Sequence, residues 1–143
     1  MNTRYENDVV AWANEQAALI RAGKFDQLDA VHLAEEVEAM SAKEKRELRN
    51  RLAVLLQHLL QWQFQPEFRF DSWTTTMIEQ RLNIHDIIED SPSLKSVLRD
   101  RFERSYRLGV SLASRETRIP LANFPKICEY TIENILKDGW LPE

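Results

Sequence analysis

The most apolar part of the chain is residues 51–66, RLAVLLQHLLQWQFQP, and the fold class follows from it. Its leucines recur at spacings of three and four, which places them on one face of a helix. Pro66 cannot continue a helix, so the sequence predicts a helix over residues 41–65. Because the apolar stripe is wide, we expect a central helix with several neighbours. Leu55 and Leu59 lie near the middle of the stripe and are predicted to be fully buried.

The same spacing predicts helices on both sides of this one. The expected ranges are residues 5–22, 27–40, 72–90 and 91–117, with a short helix over 131–137. Gly23 suits a left-handed cap after the first helix. Ser41 and Glu44 have the spacing of a capping box, which would separate the second helix from the third. The prediction is an all-α fold, a single domain over residues 1–143, built as a helical bundle of about five main helices plus a short C-terminal helix.

Apolar faces predict which side chains of the other helices pack. The expected faces are Tyr5, Val9, Trp12, Ala13, Ala17 and Ile20 on the first helix, and Ala30, Leu33, Ala34, Val37 and Met40 on the second. Ser105 and Gly109 lie on the apolar face of the helix predicted over 91–117. Small residues at these positions should let another helix approach closely.

Composition excludes several classes of protein. The chain has 143 residues, of which 43% are hydrophobic, enough for one sizeable core. A single cysteine excludes a disulfide framework and a four-thiolate zinc site. The net charge of −4 argues against a general nucleic-acid binder. No apolar run approaches the roughly 20 residues of a membrane span, and the first residues lack the apolar core of a secretory signal, so a cytoplasmic protein is expected.

Segments spread over nearly the whole chain form a specific combination. They are YENDVVAWANEQAALIR (5–21), LAEEVEAM (33–40), RLAVLLQHLLQWQFQP (51–66), DSPSL (90–94), CEYTI (128–132) and the closing LPE. Together they resemble a bacterial family catalogued as domain of unknown function 29. The resemblance implies a small all-helical bacterial protein without an agreed activity, and it supplies no catalytic residues. One departure is EFRFDSW after Pro66, where more basic residues would be expected.

An acidic cluster carries the alternative function. Glu35, Glu36 and Glu38 lie in LAEEVEAM, which looks like the first metal motif, Glu-x-x-Glu, of helical nucleotide pyrophosphatases. Carboxylates spaced three or four apart on a helix can share one Mg²⁺ and hold it against phosphates. The alternative is therefore a metal-dependent hydrolase of phosphorylated small molecules, with Glu35, Glu36, Glu38 and His58 as metal ligands or general base. The downstream Glu-x-x-Asp of that family is absent, so the favoured interpretation is an acidic helix flank with no metal or other cofactor.

Histidines and basic residues offer weaker signals. His32, His58 and His85 fall on three predicted helices, but no paired histidine motif supports a transition-metal site. The basic run in residues 43–51 is interleaved with Glu44 and Glu47. Glu47 lies four residues from both Lys43 and Arg51, a spacing at which opposite charges can pair on a helix surface. A solvated helix face explains the run, so no nucleic-acid partner is expected.

Arg81 falls inside the apolar arc of the helix over 72–90, beside His85, when that helix is drawn at about 100° per residue. An arginine keeps its charge, so a buried one needs a partner, preferably a carboxylate in a two-pronged hydrogen bond. We expect Glu36, on the second helix, to be this partner. The candidate polar pocket consists of Glu36, Glu38, His58, Trp62, Arg81 and His85.

The leading interpretation is a helical module that binds a protein or small-molecule partner. The predicted binding surface is the groove between the second, third and fourth helices, over residues 27–40, 41–65 and 72–90. The sequence leaves enzymatic activity undecided and homo-oligomerisation open.

Overall fold

The structure, a computed structural model, describes residues 3–143, which form seven α-helices and no β-strand. The helices are α1 (Thr3–Asn7), α2 (Val9–Arg21), α3 (Ala30–Phe64), α4 (Asp71–Asp90), α5 (Leu94–Asp100), α6 (Phe102–Thr117) and α7 (Ile132–Leu136). The prediction of an all-α fold is confirmed. Among the described residues, no helix is both long enough and apolar enough to cross a membrane.

Two helix boundaries near the N-terminus differ from the prediction. The helix expected over 5–22 is interrupted at Asp8, whose Oδ1 accepts a hydrogen bond from the N–H of Ala11 and so caps α2. The predicted cap at Ser41 is wrong, because α3 passes through Ser41 and is 35 residues long. Serine costs only about 0.5 kcal/mol within a helix, and the alanine, methionine and lysine neighbours of Ser41 favour continuation.

The helix ends towards the C-terminus are closer to the prediction. α4 begins at Asp71 and ends at Asp90, as expected within one residue. The helix expected over 91–117 is divided at Arg101 into α5 and α6.

Gly23 follows the end of α2 and has a φ of 73°. Its N–H and that of Lys24 donate to carbonyl groups in the last turn of α2. This is a Schellman motif, so the predicted left-handed cap is confirmed.

The chain divides into two compact units, Met1–Lys43 and Glu44–Glu143. The N-terminal unit holds α1, α2 and the first part of α3, and the C-terminal unit holds the remainder of α3 and α4 to α7. The single domain over residues 1–143 stays a prediction.

The core of the C-terminal unit is built on the leucine stripe of α3. Leu55 and Leu59 are fully buried, as predicted. Gly109 of α6 lies so close to α3 that an added Cβ would be 3.0 Å from the carbonyl oxygen of Ala53 and 3.0 Å from Cβ of Leu56. The close helix approach expected at this small residue is therefore confirmed.

Candidate functional site

The N-terminal unit is a helical hairpin whose turn is held by Asp29. The indole N–H of Trp12 donates to Oδ2 of Asp29 at 2.9 Å, and the main-chain N–H of Asp29 donates to Oε1 of Gln16 at 2.8 Å. Trp12 and Gln16 are buried, so their polar atoms need these partners. Asp29 also contacts Nδ1 of His32 at 2.7 Å. The contacts fix α2 against the start of α3.

Tyr5 ties α1 to the same side of α3. Its hydroxyl donates to Oε1 of Glu36 at 2.8 Å, and its ring stacks on His32 with 3.8 Å between centroids. The hydrogen bond to Glu36 raises the pKa of Tyr5. Tyr5 precedes Trp12 in the chain but contacts residues further along α3. The two arms of the hairpin, α1–α2 and the first part of α3, therefore run antiparallel. Glu36, expected as the partner of Arg81, is thus the hydrogen-bond acceptor of Tyr5.

Apolar side chains of both arms remain exposed. Val37 is 61% exposed and Met40 63%, so their predicted burial is wrong. The physical reason is that α1 and α2 pack on the flank of α3 that bears His32 and Glu36. On α2, Val9 is 49% exposed and Ile20 is 45% exposed.

Helical geometry places these side chains on one side of the hairpin. At about 100° per residue, Leu33, Val37 and Met40 lie roughly 60–120° around α3 from the flank that α1 and α2 contact. Val9, Ala13 and Ile20 lie roughly 40–80° around α2 from Trp12 and Gln16, in the same rotational sense. The two helices are antiparallel, so a rotation in the same sense, measured on each helix from the flank that contacts the other, leads to the same side of the hairpin. The apolar side chains of both helices therefore lie on that side. We call this surface the hairpin face; it consists of Val9, Ala13, Ile20, Leu33, Val37 and Met40.

Arg81 is buried, as the helical wheel predicts, but the prediction that a carboxylate is its partner is wrong. Its Nε donates to the carbonyl oxygen of Ile135 at 2.8 Å, and its Nη2 donates to that of Trp140 at 2.8 Å. Burial lowers the pKa of Arg81, and the nearby carboxylate of Asp138 opposes that shift. The guanidinium therefore holds the C-terminal segment, whose main-chain oxygens satisfy the buried donors without an ion pair.

The other predicted pocket residues of the C-terminal unit also have local partners. Nε2 of His85 contacts the carbonyl oxygen of Leu136 at 3.0 Å, so His85 and Arg81 hold the same segment. Nδ1 of His58 lies 2.8 Å from the carbonyl oxygen of Val54, and burial lowers the pKa of His58.

Trp62 contacts a loop residue. The guanidinium of Arg69 lies 4.8 Å from the centroid of the Trp62 ring, a cation–π contact, and Nε of Arg69 donates to the carbonyl oxygen of Trp62. The groove that was predicted between the second, third and fourth helices stays a prediction.

The acidic cluster was the basis of the metal-site alternative. Glu35, Glu36 and Glu38 lie on exposed positions of α3. Within residues 3–143 no three histidine, cysteine, aspartate or glutamate side chains are grouped so that they could hold a metal ion. The candidate ligands, these glutamates and His58, therefore do not form such a group.

A family model described as Domain of unknown function DUF29 matches residues 4–141, nearly the whole chain. The chain belongs to the DUF29 family. The resemblance drawn from the sequence segments is confirmed. No curated protein and no solved structure matches the chain.

The hairpin face of this DUF29 chain was missed because its residues were assigned to the core. A signal was present in the sequence. On α2 a glutamine, Gln16, lies one turn after Trp12 on the same face. In the first part of α3, Glu35, Glu36 and Glu38 alternate in sequence with the apolar residues. Because α2 and the first part of α3 are short and a polar residue lies where they meet, each helix can cover only part of the other's apolar surface, and the remainder stays exposed.

Proposed function

We propose that this DUF29 protein is a binding module that docks an amphipathic helix of a partner protein on its hairpin face. The observation that carries the proposal is the exposure of Val9, Ile20, Val37 and Met40 on one side of a two-helix hairpin. Apolar side chains that are exposed together on one face mark candidate interaction sites on proteins. Two antiparallel helices offer a groove between them, and a third helix that enters it completes a small bundle.

Charge further defines the partner. Up to Lys43 the chain has eight acidic side chains and four basic ones. At about 100° per residue, Glu38 lies beyond Val37 on the outer side of α3, whereas Glu35 lies nearly opposite the apolar positions; both are exposed. A partner helix with lysines or arginines along its flanks matches this acidic surplus, and complementary charge speeds association and fixes orientation.

The expected affinity is modest. Full burial of a valine, isoleucine or methionine side chain gains about 1.5–3 kcal/mol. The four exposed side chains of the hairpin face are each about half-exposed, so covering them gains about 1 kcal/mol apiece. Removal of two of them should cost about 2 kcal/mol, or roughly 30-fold in affinity.

The test uses an 18-residue peptide of leucine and lysine, patterned as an amphipathic helix and labelled for fluorescence anisotropy. The variant Val37→Ser/Met40→Ser should weaken saturable binding at least tenfold. The matched control is Ile78→Ser/Leu82→Ser, which removes two apolar side chains of α4 that are 56% exposed each. The control should bind as the parent protein does, and neither variant should lose much stability, since all four positions are exposed.

Two results would overturn the proposal. Equal losses in both variants would mean that the peptide binds any exposed apolar side chain. A concentration-dependent dimer in sedimentation experiments that Val37→Ser/Met40→Ser abolishes would assign the hairpin face to a second copy of the chain.

A further inference from the structure

The outward face of α6 carries a line of arginines. Arg104, Arg107 and Arg115 are exposed within the helix, and the exposed Arg101 and Arg118 flank its two ends. At about 100° per residue the five side chains fall within an arc of roughly 120°. From Arg101 to Arg118 the line is about 25 Å long at the helical rise of 1.5 Å per residue.

None of these five arginines forms an ion pair within residues 3–143, where the ion pairs involve other side chains. The acidic residues of α6, Glu103 and Glu116, lie at the two edges of the arc. Like charges three or four residues apart repel one another on a helix. The arginines three residues apart therefore repel one another, which Glu103, four residues before Arg107, offsets only in part, and a bound polyanion would relieve the remainder.

Two basic residues of α3 lie at the N-terminal end of the line. Lys45 and Arg49 line a shallow pocket with Arg101 and Ser105, and no acidic residue is among its lining. The Nε atom of Arg49 is buried and has no hydrogen-bond partner among residues 3–143. This atom is shielded from solvent, so the exposed side chains of Lys45 and Arg101 are the ones that extend the basic surface at this end.

The net charge of the chain does not describe this face. The surplus of acidic over basic side chains, which gives the net charge of −4, lies entirely in the N-terminal unit. The C-terminal unit has as many basic as acidic side chains, and five of its eleven arginines lie on α6 or flank its ends. The expectation of no nucleic-acid partner used the charge of the whole chain, which hides this local excess.

We propose that this arginine face binds the phosphate backbone of double-stranded DNA without sequence preference; it consists of Lys45, Arg101, Arg104, Arg107, Arg115 and Arg118. Arginine forks match phosphate oxygens in paired hydrogen bonds. No large hydrophobic side chain of α6 is exposed, whereas a protein interface needs apolar anchors. The face also lacks the aromatic side chains on which single-stranded bases stack, which favours a duplex.

The test measures fluorescence anisotropy of a labelled 20-base-pair duplex of mixed sequence, first at 50 mM salt. Five or six phosphate contacts predict a slope of about −4 to −6 for the logarithm of the binding constant against the logarithm of the salt concentration. The variant Arg104→Glu/Arg115→Glu should weaken binding at least tenfold. The control Arg21→Glu/Lys24→Glu changes the total charge equally, at exposed positions of the other unit, and should bind within threefold of the parent.

Further results would overturn the proposal. Absence of binding at 50 mM salt is one, and equal weakening in the two charge-reversed variants is another, because total charge alone would then explain it. If polyglutamate competes as well as unlabelled duplex at equal charge, the face binds an acidic polypeptide instead. Thermal unfolding of each variant checks that it is folded, and Arg104→Lys/Arg115→Lys, which keeps the charge, should retain the salt slope.

Discussion

Replacement of Gly109 by alanine tests the packing of α6 on α3 through the sign of its effect. In an unobstructed helix, Gly→Ala stabilises by about 1 kcal/mol, because alanine has the higher helix propensity. Here the new Cβ would be 3.0 Å from the carbonyl oxygen of Ala53 and 3.0 Å from Cβ of Leu56. The first is a main-chain atom and the second is fixed directly to the main chain, so neither can move away by a side-chain rotation.

The helices must therefore separate by a few tenths of an ångström, and overpacking of this kind costs about 1–3 kcal/mol. After the gain in helix propensity is subtracted, we expect Gly109→Ala to destabilise by about 1 kcal/mol, and by up to about 2 kcal/mol. The assay is urea unfolding, read as a lower midpoint at an unchanged slope.

The control is Ser111→Ala, two residues along the same helix at an exposed position. This change should stabilise by about 0.5 kcal/mol, because it alters helix propensity and touches no neighbour. If Gly109→Ala stabilises the protein as Ser111→Ala does, α6 does not lie as close to α3 as described.

Three further predictions concern single side chains. Arg81→Met should destabilise by about 2–4 kcal/mol, because the carbonyl oxygens of Ile135 and Trp140 lose their donors; urea unfolding measures this, and an effect under about 1 kcal/mol would contradict the role of Arg81. Burial lowers the pKa of His58, so the unfolded chain binds the proton more readily and stability should fall as the pH drops below about 6.5; His58→Gln should flatten this fall in unfolding midpoints between pH 7 and 5, and an unchanged fall would refute the assignment. Arg118 has a left-handed φ of 63°, so Arg118→Gly should stabilise by about 1 kcal/mol while it weakens duplex binding, and a loss of thermal stability would contradict the first part.

Sequence patterns were sufficient where a single helix face met one continuous core. Leu55 and Leu59 lie at the centre of a stripe that no polar residue interrupts, so their burial followed from spacing alone. Val37 and Met40 belong to the apolar face that was predicted for residues 27–40, yet burial also depends on which flank of α3 its neighbours occupy. That choice is made by polar contacts of Tyr5 and Trp12, which the apolar pattern does not record.

Arg81 shows the same limit for polar contacts. Its position on the wheel predicted a buried cation, and the structure confirms the burial. Its partners are main-chain oxygens 54 and 59 residues away along the chain. Every residue has such an oxygen, so the sequence offered no signal for this pairing, whereas a carboxylate such as Glu36 was a visible candidate.

The most direct test of the proposed function is an NMR titration of the isotope-labelled protein with the leucine–lysine helical peptide. The proposal predicts saturable shifts concentrated at the amides of Val9, Ile20, Val37 and Met40, with those of Leu82 unchanged. Shifts that are spread evenly over exposed apolar residues, or confined to the C-terminal unit, would contradict it.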